Sequence, residues 1–165
     1  FDRLRSLPIA RSAPLAGRII ADTFKQVWAF ALLIGFGMVL GFRVTTGVAG
    51  ALGALALLVV VALAMAWMSV LIGLTASDPE KVQMFSFSIM MPLTFTSSAL
   101  VDPATFPGWL AAWADVNPVS HLSDAIRGLL IGGEVARPAT ISLLWAAGFM
   151  VVFAPLAIRM FRRRA

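Results

Sequence analysis

The 165-residue chain has no cysteine and one histidine, His121. The first absence excludes a disulfide framework, a thiolate metal site, an iron–sulfur cluster and a cysteine nucleophile; the second argues against a His-based metal cluster. Charge is scarce as well, at 13% of residues against 60% apolar, where a soluble domain averages about 25% and roughly 45–50%. Such a chain faces lipid. No G-x-x-x-x-G-K-[ST] motif occurs, so the chain does not grip ATP phosphates in the P-loop manner. The middles of the long apolar runs hold no Asp, Glu or His, which argues against a proton relay or ion-coupled antiporter. The net charge of +5 does not indicate nucleic acid, because the cations punctuate apolar runs instead of gathering in one patch. The chain opens at Phe1 without an initiator methionine and is read as part of a longer one.

A bilayer core of about 30 Å needs around 20 apolar residues in a helix. Four uncharged stretches approach or exceed that length, 26–42, 44–77, 82–101 and 138–158. Lysine and arginine snorkel to the interface, and Thr45-Thr46-Gly47 reads as a turn, so the expected spans are 19–42, 50–75, 80–101 and 138–160. With the N-terminus inside, ten cations fall on inner segments and three (Arg43, Arg127, Arg137) on outer ones. The positive-inside rule then puts both ends of the segment in the cytoplasm.

Start signals precede the third span: Ser77 with Glu80 as a capping box, or Asp78 as N-cap with Pro79 in the first turn. Pro92 removes a backbone bond within that span, and Thr94, Thr96, Ser97 and Ser98 follow. Their hydroxyls either bond their own backbone or form a polar stripe facing a pathway. The outer region, 103–133, is too long for a hairpin and too apolar for a solvated loop. It holds Trp109 and Trp113 one turn apart, then Asn117-Pro118 as a helix start and Gly132-Gly133 as a stop. Between these, Val119, Leu122, Ile126, Leu129 and Leu130 share one arc and Ser120, Ser123, Asp124 and Arg127 the other, as in an interfacial or re-entrant helix too short to cross. Gly37 and Gly41 form a G-x-x-x-G match of the kind that marks close helix packing.

At the N-terminus Phe1, Leu4 and Leu7 recur every third residue until Pro8, an amphipathic pattern suited to lipid headgroups or to a groove on a soluble partner. Arg18, Asp22 and Lys25 make a charge ladder ahead of the first span. An enzyme would have to use the cluster near His121. Ser120 and His121 are adjacent, however, and on a helix they point about 100° apart, which weakens an intramembrane hydrolase built on Ser120 or Ser123. A membrane scaffold without transport is the other alternative.

The lead-in Asp2-Arg3-Leu4-Arg5-Ser6-Leu7-Pro8-Ile9, with Arg11, Leu15 and Arg18, resembles the segment between the second and third spans of type-2 ATP-binding-cassette exporter permeases, particularly their daunorubicin-resistance-like bacterial branch. So do Met91-Pro92-Leu93-Thr94-Phe95, Phe106-Pro107-Gly108-Trp109-Leu110, Asn117-Pro118 and Asp124-Ala125-Ile126-Arg127-Gly128, in that order and spacing. Asp102 before Pro103 departs from the family pattern. The resemblance implies an all-α polytopic membrane protein carrying the last four of six spans, with a coupling helix in 1–11 and two short outer helices. Leu4, Arg5, Leu7 and Pro8 would dock on a separate ATPase subunit, which overrides the lipid reading of that segment. Pro107, Trp109, Asn117, Pro118, Asp124 and Arg127 would shape an outer gate, and Met91, Pro92, Thr94 and Ser98, beside Met84, Met90, Phe95 and Thr96, would line the path. The expected partners are that ATPase, a second permease half, the bilayer of the cell membrane and a hydrophobic or amphipathic cargo, with no nucleic acid. No cofactor is expected on this chain; ATP and magnesium belong to the ATPase.

Overall fold

The computed structural model describes residues 13–75 and 78–164. Among these it is all-α, with six helices and no strand. The chain divides into two units, Phe1–Phe42 and Arg43–Ala165.

The first unit contributes one described helix, α1 (Ala13–Val39). Its end is built from the two glycines that suggested helix packing. Gly41 takes φ +101°, the Gly41 amide donates to Met38 O (3.2 Å) and the Phe42 amide reaches back to Gly37 O (2.8 Å). This is a Schellman closure, which satisfies carbonyls that the helix end would orphan. The Phe42 side chain lies over Gly37, so that spacing is accounted for within the unit. Lys25 and Asp22 pair at 3.6 Å, and both are too exposed for the pair to weigh much in stability. The coupling segment, with Leu4, Arg5, Leu7 and Pro8, and the Arg18 side chain lie outside the described residues.

The second unit is built on α2 (Gly47–Thr75), α5 (Pro118–Ile131) and α6 (Ala136–Arg164), which pack against one another. α2 is apolar all round, yet it buries one stripe: Ala54, Leu57, Val61, Ala64 and Met68, at alternating spacings of three and four. That rhythm is the seam of a left-handed helix pair. Its partners are Ala125 with Leu122 and Leu129 on α5, and Ala146 with Ala139 and Phe149 on α6. Four alanines (Ala64, Ala125, Ala139 and Ala146) sit among the larger residues of these crossings; small side chains let helices approach closely, and because lipid is as apolar as leucine, close van der Waals contact holds helices together. Ser142 of α6 is also buried, its hydroxyl donating to Pro138 O one turn back (2.9 Å).

Two joints fix α5 on the start of α2. The Thr45 amide donates to Leu130 O (3.0 Å), and the Thr46 hydroxyl donates to Leu129 O and Leu130 O. Gly50 makes the approach possible, since a Cβ there would fall inside contact distance of Leu129 O and the Thr46 side chain. α5 then stops at Gly132, with φ +87°, and the chain turns directly into α6.

Among the described residues, helices Gly47–Gly73 and Ala136–Met160 are long and apolar enough to cross a membrane by length and composition. One expectation needs correction: the run 80–101 is not one helix. Its helix, α3 (Pro79–Phe95), has 17 residues, or about 25 Å at 1.5 Å each. The backbone then leaves the helix at Thr96 and passes through a turn to the 3-10 segment Pro103–Thr105. Asp78 is the N-cap residue of α3 with Pro79 in the first turn, and its carboxylate pairs with Lys81 (3.3 Å).

The tight α2–α5 approach gives a stability prediction. Gly50→Ala should cost about 1–3 kcal/mol, the usual range for forcing extra atoms into a packed contact. Gly73→Ala on the same helix, where a Cβ meets nothing within 4 Å, should be neutral or stabilising. Thermal denaturation of the detergent-solubilised protein measures both; equal midpoints for the two variants would contradict the contact.

Candidate functional site

The site lies where α3 ends against α5 and the short α4 (Gly108–Ala114). A helix end leaves its last carbonyls without intrahelical partners. Here the Thr96 amide and hydroxyl both donate to Pro92 O (3.0 and 2.6 Å), and the Ser97 amide and hydroxyl donate to Thr94 O (3.3 and 2.6 Å). These two hydroxyls therefore serve their own backbone, the first of the two readings open to that run.

Leu93 O is served from elsewhere. Asn117, 1% exposed, donates its Nδ2 to Leu93 O (2.8 Å) while its Oδ1 accepts the Val119 amide (2.9 Å) as the N-cap of α5. One side chain thus closes the end of α3 and the start of α5. Thr96 Oγ1 completes the cluster by accepting Trp113 Nε1 (2.9 Å) and, at longer range, Asn117 Nδ2 (3.4 Å).

A second set of bonds starts at Ser98. Its amide donates to Ser120 Oγ (3.1 Å), and its hydroxyl lies within reach of Ser120 O (3.2 Å) and Asp124 Oδ1 (2.9 Å). Arg127 closes the ring, with Nη1 at 3.4 Å from Asp124 Oδ1 and Nη2 donating to Ser98 O (3.5 Å). Ser98 and Ser120 are 8% and 3% exposed, whereas Asp124 and Arg127 are roughly half-exposed. The buried serines hold this joint, because an exposed i, i+3 ion pair contributes little.

Ser120 is the residue the helical arc misplaces. It shares the polar side of α5 with Ser123, Asp124 and Arg127, yet it is buried, because that side meets the turn after α3. α5 is consequently packed on both faces: Leu122, Ala125 and Leu129 against α2 and α6, Ser120 and Asp124 against Ser98. No buried side-chain nitrogen or oxygen among the described residues lacks a partner.

The hydrolase alternative fares badly in this geometry. His121 Nε2 lies 2.7 Å from Asp115 O, so it carries the proton and donates to a backbone acceptor, while Ser120 Oγ accepts from Ser98. Among the described residues no hydrogen bond joins His121 to Ser120 or Ser123, and no group of three His, Cys, Asp or Glu could hold a metal ion.

Of the expected path residues, Ser98 belongs to the buried joint. Met91 and Pro92 lie on an exposed side of α3, with Met84, Phe85 and Phe87, while Thr94 is half-buried. Of the expected gate residues, Asn117, Pro118, Asp124 and Arg127 meet at the joint. Pro107 starts α4 and Trp109 projects from it, 75% exposed. Thr96, Trp113 and Ser120 also belong to this joint, and the gate assignment omitted them; the Thr96-Ser97-Ser98 run, starting four residues after Pro92, was the signal. Asp102 also finds its role. Its Oδ1 accepts the Ala104 amide (3.0 Å) and its carbonyl accepts from Thr105, starting the 3-10 turn.

Two helices of membrane-crossing length fit a membrane protein, and comparison gives the family. Residues 1–131 match the ABC-2 type transporter family, and the chain belongs to it. It is 38% identical over 164 residues to a daunorubicin resistance ABC transporter permease protein of Streptomyces coeruleorubidus, covering 99% of this chain and 58% of that relative. It is 33% identical over 157 residues to a probable doxorubicin resistance ABC transporter permease protein of Mycobacterium tuberculosis, covering 94% of this chain and 56% of that one. The chain thus spans little more than half the length of these curated relatives. No solved structure matches it.

Asn117 carries a discriminating test. Aspartate caps helices as well as asparagine does, but it offers no donor to Leu93 O. Both Asn117→Ala and Asn117→Asp should therefore cost about 1–3 kcal/mol, the penalty of a buried unpaired group. Thermal unfolding that found Asn117→Asp as stable as the parent would reduce the residue to a simple cap.

Proposed function

We propose that the chain is part of the permease subunit of an ATP-binding-cassette exporter that moves a hydrophobic or amphipathic, drug-like compound out of a bacterial cell. The observation that carries this reading is the family match over residues 1–131 together with relatives named for daunorubicin and doxorubicin resistance. On this reading the chain supplies four membrane passages, the last four of six, with both ends of the segment in the cytoplasm. Ten cations on the inner segments support that orientation. Leu4, Arg5, Leu7 and Pro8 dock on a separate ATPase subunit, where ATP and magnesium bind. A second permease half, from the same or a different gene, faces the exposed side of α3.

Cargo moves along that side, past Met91, Pro92 and Thr94, with Met84 and Phe95 giving adaptable apolar contact. Few polar groups project there, so selection works by size and shape with little hydrogen-bond readout. The joint around Asn117 and Arg127 shapes the outer gate. No covalent chemistry is required of this chain.

The test uses inside-out vesicles carrying the full-length permease and its ATPase. Addition of ATP should quench doxorubicin fluorescence several-fold faster than in vesicles whose ATPase lacks its P-loop lysine. Leu4→Asp with Leu7→Asp should abolish the difference and the capture of the ATPase in a pull-down, while leaving membrane insertion intact. Equal quenching with active and inactive ATPase would contradict the exporter reading and favour a scaffold.

A further inference from the structure

α3 is attached to the rest of its unit in an uneven way. Along residues 80–91 most positions are exposed, including Met84, Phe85, Phe87 and Met91. Beyond Pro92 the situation reverses. Leu93 O, Thr96 Oγ1 and the amide, hydroxyl and carbonyl of Ser98 all bond to side chains or backbone of residues 113–127. The two halves meet at a proline that lacks an amide to give to Ser88 O, the place where a helix bends most readily.

We infer that Thr96, Ser98, Asn117 and Ser120 are positioning residues that pin one end of α3 to α5 throughout the transport cycle, so that the rest of α3 moves by bending at Pro92. This rests on the exporter reading above. Burial decides between a pin and a latch. Ser98, Asn117 and Ser120 are 8%, 1% and 3% exposed, so opening the joint would strand several polar groups at once in a site from which water is excluded. Bending at Pro92 has one backbone hydrogen bond fewer to break, because proline has no amide to give to Ser88 O. The exposed portion of α3 carries the expected path residues Met91 and Pro92, so bending there changes the path while the pinned end stays in place.

The absence of cysteine from these 165 residues makes the joint open to direct trapping. In the full-length permease assembled with its ATPase, Ser98→Cys with Ser120→Cys removes the hydroxyls and lets a disulfide take their place; the unsubstituted complex is the control. A pin predicts cross-linking to the same extent in the nucleotide-free and vanadate-trapped complexes. It also predicts that the reduced double variant has a several-fold lower kcat for ATP-driven doxorubicin transport with little change in KM, and that oxidation restores kcat. Pro92→Ala should lower kcat several-fold and leave cross-linking unchanged.

Cross-linking confined to one nucleotide state would overturn the pin. So would a loss of transport on oxidation, as a latch requires, or turnover indifferent to the bond. Failure of the exporter reading is separable: the unsubstituted complex would then transport no drug, while the cross-linking yields would still decide whether the joint opens.

Discussion

A helix end shielded from water leaves carbonyl oxygens without donors, at a cost of about 1–3 kcal/mol for each one left bare. α3 ends in this way at Phe95. The arrangement of the neighbouring segments follows from how the carbonyls of Pro92, Leu93 and Thr94 are met. Thr96 and Ser97 cover two of them locally, and Asn117 covers the third from another helix. Because Asn117 is also the first cap of α5, the position of α5 along the chain and the end of α3 are a single structural decision.

The apolar side of α5 imposes the complementary demand. Its contacts with α2 and α6 run through Ala125, Ala146 and Ala64, with Gly50 admitting the backbone of Leu129. Small side chains bring helix axes close and let many weak contacts add up, which is the means of association available where lipid competes equally for leucine. α5 is therefore held by packing on one face and by hydrogen bonds on the other, and it links α3 to the α2–α6 pair. Most of α3 is exposed, with Met84, Phe85, Phe87 and Met91 uncovered by the rest of the chain.

Much of this could be read from local signals. Asn117-Pro118 and Gly132-Gly133 bracket α5 because capping and termination depend on residues within a turn of the helix end. The same locality placed Leu122 and Leu129 on its packed face. The burial of Ser120 was hidden, since its partner Ser98 lies 22 positions away and no periodicity within α5 reports it. The end of α3 was obscured for a related reason. An uncharged run of 20 residues, 82–101, satisfies a length criterion whether or not it is one helix, and the Thr-Ser-Ser signal after Pro92 speaks of carbonyl satisfaction rather than of direction. Gly37 and Gly41 show the converse: a spacing associated with helix pairing is here spent on a single helix end.

Amide hydrogen exchange on the full-length protein in lipid nanodiscs tests most directly the claim that hydrogen bonds, rather than apolar packing, hold the end of α3. The amides of Ser98 and Val119 donate to Ser120 Oγ and Asn117 Oδ1, and they should exchange as slowly as amides in the buried stripe of α2 from Leu57 to Ala64. Exchange at Ser98 as fast as in the exposed turn at residues 132–134 would mean that the joint is not maintained, and the account built on it would fall.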